Sequence, residues 1–488
     1  MSDTPRQKNS HHLDTRAILV LALLYLAVSL PFLGGPPLFD PDEGYYPETA
    51  SEMLVKGDLL DPVFNDSPRW GKPVGFYLAE AVSMRALGKS EFAARLPSLL
   101  AGLGFTLVTA SAGAVLLGAA TGLTAGVICA TAIMPSVYSR SAVPDMFLAF
   151  FIALSLLAFL KATWRRESPA GPWLCIMYVS AALAFLSKGP LGAILPTIAI
   201  GGYLLASGQW RQIPRLKIVR GVLLFAAVAA PWYCYMYSLH GQDFLVEHFI
   251  GRNLQRYFTN RWEHAGPPWY YLPVLIAGTF PWTVAFAAGV YTSIRKVLSR
   301  TESARPHLFL LCWLVGMLVF FSFSRSKLPN YVLPLLPSAL ILAAHLIQRL
   351  MERGSGGRAL AWSTSALAAA IVLVGAILLG RKLGEPPTVI LLWLSPIALV
   401  ALSAVLTYRP GGLWNWVRVN ALAMALFFGV LTGVAIPRVE RIQAIEQLAG
   451  DCQGQLAPGS TVATWRVWKP SFLFYTGTLA YRFNPDEE

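Results

Sequence analysis

The sequence predicts an all-α protein that crosses a membrane many times. Of its 488 residues, 55% are hydrophobic and only 13% are charged, and the mean hydropathy is +0.53. A soluble domain carries a charged fraction of about 25%. Apolar windows close to the ~20 residues that cross a ~30 Å hydrocarbon core recur along the chain, and basic residues cluster in the short segments between them.

The apolar windows predict about thirteen transmembrane helices. They cover residues 17–33, 98–117, 119–137, 144–160, 173–187, 190–206, 218–237, 269–291, 307–323, 330–347, 359–379, 388–407 and 417–436. The first window follows a basic N-terminus, as in a signal peptide. Because it lacks a small-x-small cleavage site and ends in Pro-Gly-Gly-Pro-Pro, we interpret it as a retained span.

The short basic loops set the predicted orientation, because Lys and Arg accumulate on the cytoplasmic side. Loops around Lys161, Arg215, Arg295 and Arg349 fall on one side together with the N-terminus. An odd number of spans places the C-terminus on the opposite side of the membrane. The two longest loops, 34–97 and 238–268, lie on that side as well, which would be the periplasmic side in a bacterial inner membrane.

Two units follow from this organisation, a transmembrane domain over residues 1–436 and a small periplasmic C-terminal domain over residues 437–488. The composition of the tail, with turn signals between β-prone residues, predicts a mixed α/β fold. In the loop 34–97, helical spacing predicts two amphipathic juxtamembrane helices. The first ends at Gly57, and the second runs from Pro73 to Gly88.

Charge and cysteine content exclude several classes of protein. The net charge is +13, but its basic residues are spread over loops rather than gathered into a basic patch, which argues against a nucleic-acid partner. Four of the five cysteines fall within apolar windows and Cys452 stands alone, so neither a zinc site nor a disulfide scaffold is indicated. A divalent metal remains open but unindicated, since His248 and His264 lie in an aromatic loop where hydrogen bonding is the commoner role.

Acidic residues crowd the segment that follows the first span. Asp42 and Glu43 lie between Pro41 and Gly44 beside a hydrophobic segment, where holding a charge is costly. That cost favours a functional role for this pair. Glu48 and its neighbour Glu52 are equally well explained as a solvated helix face.

Basic residues on the translocated side contradict the orientation rule. Lys188 lies in a very short loop, and Arg325 and Lys327 precede another span. Arg252 and Arg256 lie in an aromatic-rich loop, and arginine forks suit phosphate oxygens. An anionic ligand explains these positions, although snorkelling of the side chains to the interface is the alternative.

Five segments in consistent order carry a resemblance to a known family. They are FDPDEGYYPETASEML (39–54), WGKPVGFY (70–77), SRSAVPDMFLAFF (139–151), DFLVEHFIGRNLQRYFTNRWEHAGPPWYYLP (243–273) and SRSKLPNYVLPLLP (324–337). The set resembles the polyprenyl-phosphate-dependent glycosyltransferases of the GT-C fold, in particular the bacterial aminoarabinose-transferase and protein-mannosyltransferase-like group. Relatives often have a glutamate where Gly71 stands, so any role of that glutamate is absent here.

The resemblance implies roles for individual residues. Lys72 would hold the carrier phosphate with Arg256, assisted by Lys188, Lys327 and Arg252. Asp42 would orient or deprotonate the acceptor with help from Glu43 or Asp145, and the substrate would be lined by Tyr45, Tyr331 and Arg325.

The predicted activity is transfer of a sugar from a polyprenyl (undecaprenyl) phosphate carrier to a lipid A, protein or glycan acceptor, with inversion and without an indicated cofactor. Aminoarabinose, mannose and other sugars stay open. The alternative is a flippase that carries a lipid-linked sugar without breaking a bond. A structural scaffold would not need cations gathered on the translocated face. Charges on one face rather than at the midplane favour the enzyme.

Overall fold

The structure is a computed structural model that describes residues 11–164, 170–259, 266–383, 386–409, 411–440, 445–453, 455, 460–465 and 468–483. The fold is almost entirely helical. Its α-helices are α1 (Thr15–Ser29), α2 (Asp42–Lys56), α3 (Gly75–Leu87), α4 (Glu91–Leu117), α5 (Ala119–Thr131), α6 (Ile133–Tyr138), α7 (Asp145–Thr163), α8 (Ala170–Lys188), α9 (Leu191–Ala206), α10 (Ile218–Leu245), α11 (Gln255–Phe258), α12 (Tyr271–Gly278), α13 (Thr283–Leu298), α14 (Arg305–Phe323), α15 (Leu336–Arg353), α16 (Gly357–Leu383), α17 (Pro387–Leu402), α18 (Gly412–Val430), α19 (Ile436–Glu440), α20 (Ile445–Gln453) and α21 (Pro470–Thr476).

Shorter elements connect these helices. The 3₁₀-helices are Trp210–Leu216, Pro268–Tyr270, Glu302–Ala304, Pro329–Leu335 and Ser403–Tyr408, and the π-helices are Val246–Leu254 and Leu431–Ala435. Strands β1 (Val63–Phe64) and β2 (Ser67–Pro68) pair antiparallel in the first loop. Strands β3 (Val462–Trp465) and β4 (Ala480–Phe483) pair in parallel near the C-terminus, with Val462 opposite Ala480.

Nine helices within the described ranges are long and apolar enough to cross a membrane, which confirms a polytopic membrane protein. Three shorter apolar helices, α1, α5 and α9, also coincide with predicted spans. The predicted span 269–291 is broken between Gly278 and Thr283, where α12 ends and α13 begins. Pro281 lies in this gap and cannot supply a helical N–H, which accounts for the break.

The two helices predicted in the first loop are present as α2 and α3. Gly57 ends α2 in the left-handed conformation (φ 76°), which glycine adopts without steric cost. The segment 238–268 was predicted as a loop, but its described part before residue 260 continues α10 to Leu245 and then forms a π-helix, with a local break at Gly241 (φ 64°). Aromatic packing of Phe244 and His248 against Trp232 accounts for this continued order.

The main core lies where α4, α5, α7, α14 and α15 pack together. Its largest fully buried side chains include Trp282 and Trp313. Their indole N–H groups donate to Thr131 Oγ1 (3.1 Å) and to the carbonyl oxygen of Pro334 (2.9 Å). Because these polar atoms are satisfied, the tryptophans fix helix positions without an unpaired donor in an apolar core.

The C-terminal segment lies on the first loop. Helix α21 packs against α2, and Asn65 exchanges two hydrogen bonds with the backbone of Ala480, at 2.7 and 2.9 Å. The acidic motif at the start of α2 is therefore enclosed by parts of the chain more than 400 residues apart.

Candidate active site

A cavity of about 830 Å³ collects most of the cations predicted from the sequence. It lies between the start of α9, the π-helix with α11, and the end of α14. Its polar lining includes Lys72, Lys188, Arg252, Arg256 and Tyr331. Its remaining wall is largely apolar and aromatic, with Leu191, Ile194, Phe249, Ile250, Leu254, Phe258, Phe320, Phe321 and Phe323.

Two of the four cations are already paired with carboxylates. Lys188 forms a buried ion pair with Asp145, and Lys188 Nζ also lies 5.6 Å from the centre of the Tyr331 ring. Arg252 Nε donates to Glu247 Oε1 at 2.6 Å. These pairs hold the side chains in place and remove much of their net charge.

The other two cations, Lys72 and Arg256, form no ion pair among the described residues. Among the described residues, Lys72 has no hydrogen-bond partner, and the buried Nε of Arg256 has none either. Burial lowers the pKa of Lys72 well below its ordinary value, and the nearby charges of Arg256 and Lys188 lower it further. The cavity thus presents a surplus of positive charge beside an apolar wall, a combination that fits a lipid-linked anion.

Lys327 and Arg325 do not line this cavity. Lys327 is buried and its ammonium donates to the carbonyl oxygens of Ser322 and Ser324, both at 2.8 Å, at the end of α14. The Arg325 side chain is exposed, and its backbone N–H donates to Tyr257. Lys327 therefore satisfies helix-terminal carbonyls, which sequence spacing did not indicate.

The two adjacent carboxylates of the acidic motif, Asp42 and Glu43, lie in different environments. Glu43 is buried and receives two hydrogen bonds from Arg95, at 3.1 and 2.9 Å, as well as the backbone N–H of Ala142. Asp42 is exposed. Glu43 is thus committed to the fold, whereas Asp42 is available to a substrate.

Asp42 lines a different cavity from the cations but lies near one of them. It lines a second cavity of about 450 Å³ together with Glu43, Arg95 and Arg140. It is also close enough to Lys72 to influence the pKa of that lysine, as is Asp145. Asp42 therefore borders one cavity while lying near the cations of the other.

Tyr45 is held by residues that sequence reasoning missed. The guanidinium of Arg69 lies 4.2 Å from the centre of the Tyr45 ring, and Trp468 Nε1 donates to Tyr45 Oη at 3.0 Å.

The sequence analysis also missed Arg95 and Glu247. Both form ion pairs with residues that only the folded chain brings close to them. The sequence held a weak signal for Arg95, since it is a basic residue of the loop 34–97 that also carries the acidic motif.

The described residues contain no group of three or more His, Cys, Asp or Glu side chains placed to hold a metal ion. His248 Nδ1 hydrogen-bonds with the carbonyl oxygen of Trp70 at 2.7 Å, and its Nε2 lies 3.3 Å from Tyr233 Oη. His264 lies outside the described residues.

The chain is similar to known proteins both in sequence and in fold. Residues 66–235 match the family model described as dolichyl-phosphate-mannose-protein mannosyltransferase. An undecaprenyl phosphate-alpha-4-amino-4-deoxy-L-arabinose arabinosyl transferase of Pectobacterium carotovorum subsp. carotovorum (strain PC1) is 31% identical over 448 residues, covering 88% of this chain and 77% of the relative. A protein of the same description from Yersinia pestis (strain Pestoides F) is 30% identical, with 68% and 59% covered.

Solved structures give the same result. ArnT from Cupriavidus metallidurans bound to undecaprenyl phosphate matches with a TM-score of 0.81 and 26% identity, covering 96% of this chain and 85% of that one. The apo oligosaccharyltransferase of Archaeoglobus fulgidus shares the fold, with a TM-score of 0.58 at 12% identity over 99% of this chain and 65% of that one.

Fold and site together define a membrane glycosyltransferase of the GT-C class that uses a polyprenyl-phosphate carrier. Within that class, the chain belongs to the family of undecaprenyl phosphate-alpha-4-amino-4-deoxy-L-arabinose arabinosyl transferases. Family membership favours the enzyme over the flippase and the scaffold.

Proposed function

We propose that the protein transfers 4-amino-4-deoxy-L-arabinose, or a closely related sugar, from undecaprenyl phosphate to an acceptor on the periplasmic face of the inner membrane. The choice of sugar and carrier rests on the relatives. The observation that carries the catalytic proposal is the cavity in which, among the described residues, Lys72 and Arg256 form no ion pair.

The donor places its phosphate against Lys72 and Arg256. The isoprenoid chain lies along the aromatic wall between α9 and α14, where the cavity is apolar. Lys188 and Arg252, already paired with Asp145 and Glu247, orient the phosphate rather than neutralise it. Tyr331 lines the same space.

Transfer breaks the bond between the anomeric carbon and the carrier phosphate oxygen, and the electron pair stays on that oxygen. The leaving phosphate thereby gains one negative charge, and cations preorganised around it stabilise the transition state. Attack by the acceptor oxygen from the opposite face forms the new glycosidic bond with inversion. Asp42 accepts the proton of a hydroxyl acceptor or positions an anionic one.

The acceptor enters through the second cavity, which Asp42 borders. Arg140 lines that cavity and is buried, and its hydrogen bonds go to the uncharged oxygens of Thr432 and Val28. Its Nε has no partner among the described residues. Arg140 forms no ion pair among the described residues, so its guanidinium is available to a phosphate-bearing acceptor such as lipid A, although Asp40, Asp42 and Glu43 line the same cavity.

We further propose the topology and the division of the chain. The three shorter apolar helices and the broken segment 271–298 add four spans to the nine long ones, for thirteen in all. The N-terminus is then cytoplasmic and the loop 34–97 periplasmic. Residues 1–436 form the transmembrane unit, and residues 437–488 form a small α/β unit on the periplasmic side.

Purified protein supplied with a polyprenyl-phosphate sugar and a lipid A acceptor tests the reaction, because transfer yields free carrier phosphate together with the glycosylated acceptor, whereas a flippase yields neither. Wild-type protein is expected to yield both, and Asp42→Asn is expected to lose transfer while keeping its fold and its affinity for the carrier. Asp66→Asn is the matched control, since Asp66 is an exposed acid in the same loop that pairs with Lys56. Full activity of Asp42→Asn would remove Asp42 from the mechanism.

Mass spectrometry of envelope lipids and glycoproteins from a deletion strain identifies the sugar and the acceptor. Loss of an aminoarabinose-bearing lipid is the expected result. Loss of a glycoprotein with unchanged lipids would contradict the proposed acceptor. Thiol labelling of a cysteine placed in the loop 34–97 tests the orientation, and protection from an impermeant reagent would contradict it.

A further inference from the structure

The C-terminal segment 468–483 touches the acidic motif at several points. Asp40, Tyr45 and Leu38 all contact it through hydrogen bonds. We propose that this segment is a part of the active site that positions Asp42, with Asp40, Gly44 and Ser471 as positioning residues. The proposal rests on the proposed function, because it assigns Asp42 its place in sugar transfer.

The contact between Asp40 and Ser471 is the central one. The backbone N–H of Ser471 donates to Asp40 Oδ1 at 2.8 Å, and its hydroxyl donates to Asp40 Oδ2 at 2.5 Å. Ser471 is fully buried. Both oxygens of the Asp40 carboxylate are thus held by one residue, which fixes the backbone two positions before Asp42.

Gly44 permits this contact on the other side of Asp42. A Cβ added to Gly44 would lie 2.3 Å from the backbone nitrogen of Ser471 and 2.8 Å from the carbonyl carbon of Pro470. Both atoms belong to the backbone and cannot rotate away. Since ordinary Cβ contacts begin near 3.4 Å, the segment would have to move by about 1 Å to admit a methyl group.

Two further contacts extend the same surface. Trp468 donates from Nε1 to the hydroxyl of Tyr45 at 3.0 Å, and the Leu38 N–H donates to the hydroxyl of Tyr475 at 2.8 Å. Residues on both sides of Asp42 are therefore tied to the C-terminal segment. Within the described residues, the carboxylate of Asp42 itself has no hydrogen bond, so its direction depends on this backbone.

A purely stabilising role for the segment makes a different prediction from a positioning role. If the segment only stabilised the fold, its loss would lower the amount of folded enzyme and leave the turnover of the folded fraction unchanged. If it positions Asp42, the folded fraction itself turns over more slowly. The cavity lined by Lys72 and Arg256, where we place the carrier phosphate, is called the carrier cavity. It has no lining residue from the segment, so carrier affinity stays constant in either case.

Gly44→Ala tests the close approach. We expect kcat per folded molecule to fall by up to about 100-fold, because a displacement of about 1 Å at a reacting group can cost that factor. Affinity for polyprenyl phosphate is expected to be unchanged. Gly450→Ala is the matched control, since Gly450 lies in α20 with no atom within 4 Å of an added Cβ.

Asp40→Ala and Ser471→Ala, alone and combined, test the coupling between the two residues. The double variant is expected to lose no more kcat than the stronger single variant, because either change breaks the same contact. Additive losses, or wild-type turnover by folded Gly44→Ala protein, would overturn the proposal.

Limited proteolysis separates failure of this inference from failure of the proposed function, since it needs no substrate. Residues 468–483 are expected to be cleaved faster in Gly44→Ala than in wild-type or Gly450→Ala protein. If wild-type protein transfers no sugar but this difference in cleavage is seen, the segment docks as described and the proposed reaction is wrong. Equal cleavage in all three proteins would overturn the docking itself.

Discussion

Replacing Lys72 by methionine removes one of the two cations in the carrier cavity that form no ion pair among the described residues. Methionine keeps most of the side-chain volume, so the change removes charge rather than packing. Two unit charges 4 Å apart attract with about 4 kcal/mol at an effective dielectric constant of about 20. Desolvation of the phosphate and the ammonium offsets part of this, leaving the roughly 1.5–3 kcal/mol typical of a hydrogen bond to a charged group.

The dissociation constant for polyprenyl phosphate should therefore rise by roughly 10- to 150-fold in Lys72→Met protein. Titration calorimetry on purified protein in detergent measures this change. Lys56→Met is the matched control, because Lys56 is an exposed lysine of the same loop, paired at 2.6 Å with exposed Asp66. Wild-type affinity in Lys72→Met protein would refute the assignment of Lys72 to the phosphate.

The pH dependence gives an independent readout of the same residue. Burial and the charges of Arg256 and Lys188 lower the pKa of Lys72, so its ammonium loses its proton at a lower pH than an exposed lysine. Because the protonated form binds the phosphate, carrier affinity should fall as the pH rises through that lowered pKa. Lys72→Arg, which stays protonated, should bind with little dependence on pH over the same range.

Three further predictions concern stability. Burial raises the pKa of Glu48 from 4.5 to about 7 despite its 2.8 Å contact with Lys89. A raised acid pKa stabilises the folded state below pH 4.5, and this contribution is lost as the pH rises to about 7. Glu48→Gln should therefore flatten the dependence of the thermal midpoint on pH between these values, and an unchanged slope would contradict this prediction. Arg95→Met leaves Glu43 buried without its ion-pair partner and should lower the free energy of unfolding by about 3–5 kcal/mol, measured by denaturant unfolding. A loss below about 1 kcal/mol, as for a surface pair, would show that Glu43 is not held as described. Lys327→Met leaves the last carbonyls of α14 without their donor and should lower the free energy of unfolding by about 1–3 kcal/mol. Carrier affinity should be unchanged, and a large loss of affinity in a stable protein would instead place Lys327 at the phosphate.

The membrane architecture could be predicted because each span satisfies its own backbone hydrogen bonds. Composition and window length therefore suffice to locate the spans. The two helices of the first loop could also be predicted from the sequence, since Gly57 marks the end of α2. The continuation of α10 beyond residue 238 could not be predicted. Its aromatic residues were interpreted as part of a loop, whereas they pack against one another within a helix.

The sequence predicted that several basic residues gather to bind an anion; the gathering is seen in the structure, and the anion they bind stays a prediction. Lys72, Lys188, Arg252 and Arg256 line one space in the structure. The sequence could not say which of them are already paired, because pairing depends on positions set by tertiary packing. Lys327 illustrates the limit, since its motif is in place while its ammonium holds backbone carbonyls.

The division between paired and unpaired cations bears on how the site favours reaction over binding. A sugar linked to a polyprenyl phosphate carries one negative charge, whereas the released phosphate monoester carries nearly two at neutral pH. Lys72 and Arg256 supply two charges that form no ion pair among the described residues, which suits the departing phosphate better than the intact donor. Binding that strengthens as the bond breaks lowers the barrier, whereas equally strong binding to both states would only improve affinity. Asp145 and Glu247 are needed for this balance, because four uncompensated cations would hold the donor itself too tightly and repel one another.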